Sequence, residues 1–223
     1  RDLLQRHLDL ARLAALSAED APDEAEWLRL VAAAPAQARE LLQTEGYFSA
    51  AVQVRREGPA PARIRVQVTP GPRARVRELS LRVEGMMRQR ADAGDTDARA
   101  QIEALRQAWP LGPRTFFRNG DWSSAKNAAL ARLRSLGYAQ PQITASAADV
   151  DVAAAEVKLD LVLDSGPLFL AGPLRIEGLE RQDDATVRNM AGFGPGAPLT
   201  ETLLLDYQDR LRKSGQFAAA VAT

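Results

Sequence analysis

The chain has 223 residues, with 29 Lys and Arg balanced by 29 Asp and Glu, a single histidine and no cysteine. Zero net charge gives no basic excess for a polyanion such as nucleic acid, and the lack of cysteine excludes disulfide staples and thiolate metal sites. A hydrophobic fraction of 46% belongs to a globular chain rather than a disordered one, and the length holds one large domain or two to three small ones.

In chain order, Leu3, Leu4, Leu8, Leu10, Leu13 and Leu16 predict an amphipathic helix, broken by the acidic stretch 19–26. A second helical piece spans about Trp27 to Ala33, and Pro35 suits the first turn of another, with Ala38, Leu41 and Leu42 as its stripe and Gly46 as its cap. The period then changes to two. Val52 and Val54, a turn at Gly58-Pro59-Ala60-Pro61, and Ile64, Val66 and Val68 predict a hairpin. Pro70-Gly71-Pro72 breaks it, and Leu79, Leu81 and Val83 form another strand up to Gly85.

Residues 87–96 read as a polar loop, followed by a helix over 98–108 with Ile102 and Leu105 facing inward. A loop over 110–120 carries Phe116 and Phe117, and Trp122, Ala125, Ala129, Leu133 and Leu136 make a helical stripe closed by Gly137. Ile143 lies in a weak strand, Asp149 and Asp151 in a loop, and Val157, Leu159, Leu161 and Leu163 in the strongest alternation of the chain. After Asp164-Ser165-Gly166-Pro167, Leu174 and Ile176 predict a strand. Asp184 caps a short helix to Met190, and Leu204, Tyr207 and Leu211 stripe another, closed by Gly215.

Leu41 to Phe48, Leu133 to Ala139 and Leu211 to Phe217 are thus copies of one pattern: amphipathic helix, glycine, then β-like residues. Three copies in register predict an array of like units. Each reads strand–helix–helix–strand–strand, the first without its opening strand and the third without its closing one. No stretch of 18 apolar residues and no leader peptide are visible, and the chain reads as a piece of a longer protein.

Reactive side chains do not cluster. His7 has no Asp or Glu at metal-ligand spacing, and Asp149 and Asp151 lack the further oxygens and turn glycine of a calcium loop. Gly192-Phe193-Gly194-Pro195-Gly196 lacks the Gly-Lys-Ser/Thr ending of a phosphate loop, and Ser17, Ser123, Ser124 and Ser135 have no base partner. No catalytic, cofactor-binding or metal-ligating residue is assigned, and the chain is read as a non-enzyme. The Arg55, Arg56, Arg63, Arg65 and Arg73, Arg75, Arg77 groups read as solvated strand faces. Phe116, Phe117 and Trp122 either pin their loop to the helices or form an exposed aromatic patch for a partner.

The helix-ending Leu-x-x-x-Gly-Tyr-Phe, the hairpin, Pro-Gly-Pro or Ser-Gly-Pro, and a strand ending in Glu-Gly together resemble POTRA (polypeptide-transport-associated) modules of the BamA/TamA superfamily. The segments Leu3 to Leu10, Gly112 to Trp122 and Asp164 to Phe169 are most similar to the TamA-type branch. The resemblance implies an α+β fold of tandem modules, each a three-stranded mixed sheet with two helices on one face, divided at 1–71, 72–166 and 167–223. It further implies a periplasmic scaffold of an outer-membrane protein assembly and translocation factor. Its implied partners are unfolded outer-membrane clients, a TamB-like inner-membrane-anchored protein and the protein's own C-terminal β-barrel. The POTRA arm of a BamA-type insertase or a two-partner-secretion transporter is an alternative. A periplasmic ligand-binding or enzyme domain is another, from a different class.

In a sheet of this order the strand after each glycine lies at the edge, over residues 51–56, 141–147 and 218–222. Ala51, Val52, Gln53, Val54, Arg55, Gln142, Ile143, Thr144 and Ala145 are the candidate partner-binding edge residues. Arg55 and Arg56 serve equally well as gatekeepers that keep the edge unpaired. Gly71 and Gly166 are the expected hinges.

Overall fold

The computed structural model describes residues 2–12, 23–57, 63–179, 183–215, 217 and 221. Its elements are α1 (Asp2–His7), α2 (Asp9–Arg12), α3 (Glu24–Thr44), β1 (Ala51–Glu57), β2 (Arg63–Thr69), β3 (Arg75–Glu84), α4 (Met86–Asp92), α5 (Thr96–Gln107), α6 (Asn119–Ser135), β4 (Gln142–Asp151), β5 (Glu156–Asp164), α7 (Asp184–Asn189) and α8 (Glu201–Lys213). The chain divides into two compact units. One comprises residues 1–79, 110–125 and 147–159, the other 80–109, 126–146 and 160–223.

In the first unit, β1 and β2 pair antiparallel from Ala51↔Thr69 to Glu57↔Arg63. Alternation puts Val52, Val54, Ile64 and Val66 on one face, where they pack against buried Leu8, Leu10, Ala34 and Ala38. The turn expected at Gly58-Pro59-Ala60-Pro61 lies outside the described residues. So does the part of the first leucine stripe that holds Leu13 and Leu16. The helix does not restart at Pro35: α3 is continuous over 21 residues with Pro35 inside it. Its stripe of Ala34 and Ala38 is anchored on the hairpin core, and that packing outweighs the lost backbone donor.

The three-stranded sheet has the order β3-β5-β4. β4 and β5 are consecutive strands joined by the turn at 152–155. β3 runs parallel to β5: the Arg75 N–H meets Ala155 O at one end and the Ser165 N–H meets Glu84 O at the other. The central strand is the most apolar, with Val157, Leu159, Leu161, Val162 and Leu163 buried, while Lys158 on its other face is exposed.

Two segments expected to be loops are regular. The stretch read as polar from 87 to 96 contains α4, with Met87 and Ala91 buried one turn apart. The short apolar pair was hidden among charged residues. Its first turn is capped from outside, by the Ser165 hydroxyl accepting the Met87 N–H at 2.9 Å. Asp149 and Asp151 belong to β4 rather than a loop, because β5 supplies a ladder that overrides their poor strand propensity. Conversely, Leu174 and Ile176 are not in a regular strand. They pack on the buried Val187, Ala191, Tyr207 and Leu211 cluster, but no described residue pairs with them in a ladder. The cap of α7 is Asp183, whose carboxylate accepts the Ala185 N–H, rather than Asp184.

Candidate functional site

The repeated Leu-x-x-x-Gly-Tyr pattern is a helix terminus. At the end of α3 the Gly46 N–H bonds Gln43 O and the Tyr47 N–H bonds Leu42 O, with Gly46 at φ 89°. At the end of α6 the Gly137 N–H bonds Arg134 O and the Tyr138 N–H bonds Leu133 O, with Gly137 at φ 94°. Both are Schellman caps, which need a left-handed residue and therefore favour glycine. At α8 the Gly215 N–H bonds Arg212 O in the same way.

Each of the first two caps is also a junction. Gly46 O accepts the Ala74 N–H at 2.8 Å, and Ala74 O accepts the Phe117 N–H at 2.9 Å. One rung further on, the Val76 N–H bonds Thr115 O and the Arg114 N–H bonds Val76 O. In the second unit Gly137 O accepts the Phe169 N–H at 3.0 Å, Phe169 O accepts the Leu199 N–H at 2.8 Å, and Ala171 exchanges bonds with Ala197 and Gly196. The same short ladder thus follows both glycines. A carbonyl at the helix end, normally left to water, is instead consumed by a later segment of the chain.

Gly71 and Gly166, the expected hinges, have φ of 70° and 64° and sit three residues before Ala74 and Phe169. The Glu-Gly and Ser-Gly-Pro signatures meet in the second unit. A Cβ on Gly85 would overlap the Asp164 carboxylate and stand 2.8 Å from Ser165 Oγ. Ser165 is fully buried and bonded to Met87 N and Gly166 O, while Asp164 accepts the Gly166 N–H at 2.8 Å.

β4 lies at the edge of its sheet, as expected. Gln142, Thr144 and Ala145 are exposed and Ile143 is half-buried. On β1, Ala51, Gln53 and Arg55 are exposed while Val52 and Val54 face the core, and Arg55 donates to Gln53 Oε1 at 3.2 Å. The third edge segment, 218–222, lies mostly outside the described residues.

The aromatic trio divides. Phe117 and Trp122 are buried at 4% exposure each, with Phe117 6.1 Å from Phe48 ring to ring, whereas Phe116 is 42% exposed. Phe116 is thus the accessible ring of the three, and Phe117 and Trp122 belong to the core. Arg73 does not lie on a strand face. It donates to Glu45 O at 2.9 Å, and its guanidinium lies over Tyr47 and Phe116. Arg75 lies over Phe116 at 4.0 Å. Arg118 grips the Glu45 carboxylate with two bonds of 2.9 Å, which together with Asp121 push its pKa further up. Spacing alone could not show these contacts, since Arg73 and Phe116 are far apart in sequence.

Among the described residues no group of three or more His, Asp or Glu could hold a metal ion, and no helix is long and apolar enough to cross a membrane.

Residues 10–70 match the family model described as POTRA domain TamA domain 1. No curated protein matches the chain. Among solved structures, BamA POTRA3-5 of Haemophilus influenzae is similar at 24% identity and a TM-score of 0.40, over 82% of this chain and 71% of that one. POTRA1-3 of Omp85 from Anabaena is similar at 15% identity and a TM-score of 0.34, over 82% and 72%. These scores establish no common arrangement of whole chains. Residues 10–70 thus match a TamA-type POTRA domain, and the capped junction after the first of these glycines recurs after the second.

Proposed function

We propose that this region is a non-enzymatic periplasmic scaffold of an outer-membrane protein assembly factor, and that it holds extended client polypeptides by strand addition at its sheet edges. The observation that carries this is the β4 edge. Its outer side has no ladder partner among the described residues, and Ala145, Ser146 and Ala147 present small exposed side chains there. Natural edges are usually blunted by proline, lysine or a covering element. β4 contains neither residue between Gln142 and Asp151, and its two aspartates sit at the far end. Main-chain bonds supply the attraction, which suits clients with no common sequence.

Three modules, at 1–71, 72–166 and 167–223, are the organisation we propose, with the repeated junction ladders as support. Hinge motion at Gly71 and Gly166 then requires the Gly46–Ala74 and Gly137–Phe169 bonds to open. A TamB-like inner-membrane-anchored partner and a downstream β-barrel complete the reading.

The test is proline placement. In an edge strand alternate N–H groups point into the sheet and out to the partner. Of Ala145→Pro and Ser146→Pro, one therefore removes an outward donor and the other an inward one. A fluorescently labelled short peptide of alternating valine and glutamine serves as the client. One variant should lose peptide binding with its melting temperature nearly kept, and the other should lose stability. If both bind the peptide as wild type does, strand addition at β4 is wrong. A TamB carboxy-terminal fragment that shows no association at high micromolar concentration would remove that partner.

A further inference from the structure

We propose that Arg73, Phe116 and Arg75 form a clamp for carboxylates of an acidic polypeptide segment. This goes beyond the edge reading, because it uses side chains where the edge uses backbone. The Arg75 guanidinium carbon lies 4.0 Å from the Phe116 ring centroid and that of Arg73 lies 5.0 Å from it, with Tyr47 5.8 Å from Arg73. Each arginine is held by one neutral acceptor: Arg73 Nε by Glu45 O and Arg75 Nη1 by Arg114 O, both at 2.9 Å. Each therefore keeps most of its five donors for a ligand.

Charge separates this pair from its neighbours. Arg77 faces Glu156 at 3.7 Å, and Arg118 is paired with Glu45 at 2.9 Å and faces Asp121 at 3.8 Å. Among the described residues neither Arg73 nor Arg75 has a carboxylate partner. Two like charges over one ring repel each other, and an anion bridging them relieves that repulsion. Stacking fixes both planar forks in advance, so little side-chain freedom is lost when a carboxylate binds.

The flanking carboxylates also select the class of partner. Glu45, Asp121 and Glu156 offset the charge of the neighbouring Arg118 and Arg77. A continuous anionic bilayer would be repelled by carboxylates around the pair wherever they lie within a Debye length, about 8–10 Å. A single acidic side chain on an extended peptide would not. Tyr47 stands four residues before Ala51, where the β1 edge begins, so a strand added there starts beside the clamp.

The experiment compares the valine–glutamine peptide with its valine–glutamate counterpart by fluorescence anisotropy on the whole chain, at low and high salt. The acidic peptide should bind about tenfold more tightly at low salt, and the gap should narrow at high salt. Arg75→Gln should close the gap without changing the neutral peptide's affinity or the melting temperature. Phe116→Leu should narrow it. Arg77→Gln, which removes an arginine already facing Glu156, should leave it in place. Equal binding of the two peptides overturns the clamp and leaves the edge reading standing. A gap that survives the double variant of Arg73→Gln and Arg75→Gln overturns it as well. So does arginine-dependent competition by phosphatidylglycerol vesicles, which would assign the site to a lipid headgroup. The clamp without the edge shows as an arginine-dependent gap that both β4 prolines leave untouched.

Discussion

Gly46→Ala tests whether the first junction is a rigid coupling. Gly46 has φ 89°, and a Cβ there would overlap the backbone oxygen of Phe117, with Arg73 Cγ at 3.5 Å. The left-handed backbone alone costs about 1–2 kcal/mol for a residue with a side chain. Backbone cannot swing aside as a side chain can, so relief means opening the Ala74–Gly46 and Phe117–Ala74 bonds. Ala74 is 1% exposed, and leaving its amide unpaired adds about 1–3 kcal/mol. The total is about 2–5 kcal/mol. Gly137→Ala is the internal control. Its φ is similar, but the nearest atoms are Leu168 Cδ1 at 3.2 Å and Leu199 O at 3.3 Å, the first of which is the end of a flexible side chain. That variant should lose only about 2 kcal/mol. At about 2–4 °C per kcal/mol for a chain of this size, the extra cost of about 1–3 kcal/mol should make Gly46→Ala melt roughly 2–12 °C below Gly137→Ala. Amide exchange should rise at Ala74 and Phe117 in Gly46→Ala. Equal melting temperatures, or unchanged protection of the Ala74 amide, would refute the reasoning.

Gly85→Ala should be similarly harmful, because φ 78° and ψ −157° place Gly85 in a region open essentially to glycine and the Asp164 carboxylate fills the Cβ position. Gly94→Ala, at φ 100° with open space around it, should lose about 1–2 kcal/mol, and thermal melts of the two measure the packing contribution. Asp95 caps α5 through the Ala98 N–H, which with Arg90 holds its carboxyl below the usual range. A depressed folded pKa stabilises above the unfolded value, about pH 3.9, and the effect is lost as pH falls through the folded value. Asp95→Asn keeps a capping oxygen without the charge, so its melting temperature should lie below wild type at neutral pH and converge on it in acid. A gap that is constant with pH would contradict this. Glu45→Gln breaks a half-exposed pair with Arg118 and should cost less than about 1 kcal/mol, less again at high salt.

Local rules made much of the fold legible. The alternation at Val157, Leu159, Leu161 and Leu163 named the central strand, because residues two apart share one face of a strand and that face is buried. The glycines at 46 and 137 named two helix ends, because a Schellman cap demands a left-handed residue. What local rules missed depended on distant residues. α4 has only Met87 and Ala91 to bury and is capped by Ser165, which is 78 residues away from Met87. The expected break at Pro35 did not occur because the hairpin core holds α3 straight through it.

The candidate surfaces divide the same way. The position of the β4 edge followed from strand order, which short connections and the repeat constrain in advance. By contrast, the separation of Phe116 from buried Phe117 and Trp122 arose only on folding, as did the placing of Arg73 and Arg75 on Phe116. The sequence by itself determined the hairpin, the central strand and the glycine-capped helix ends, since periodicity and glycine conformation act within a few residues. Tertiary structure alone decided which carbonyls close the junctions and, among the described residues, which arginines meet a carboxylate. Those contacts form between segments that only the packed core brings within a few ångströms.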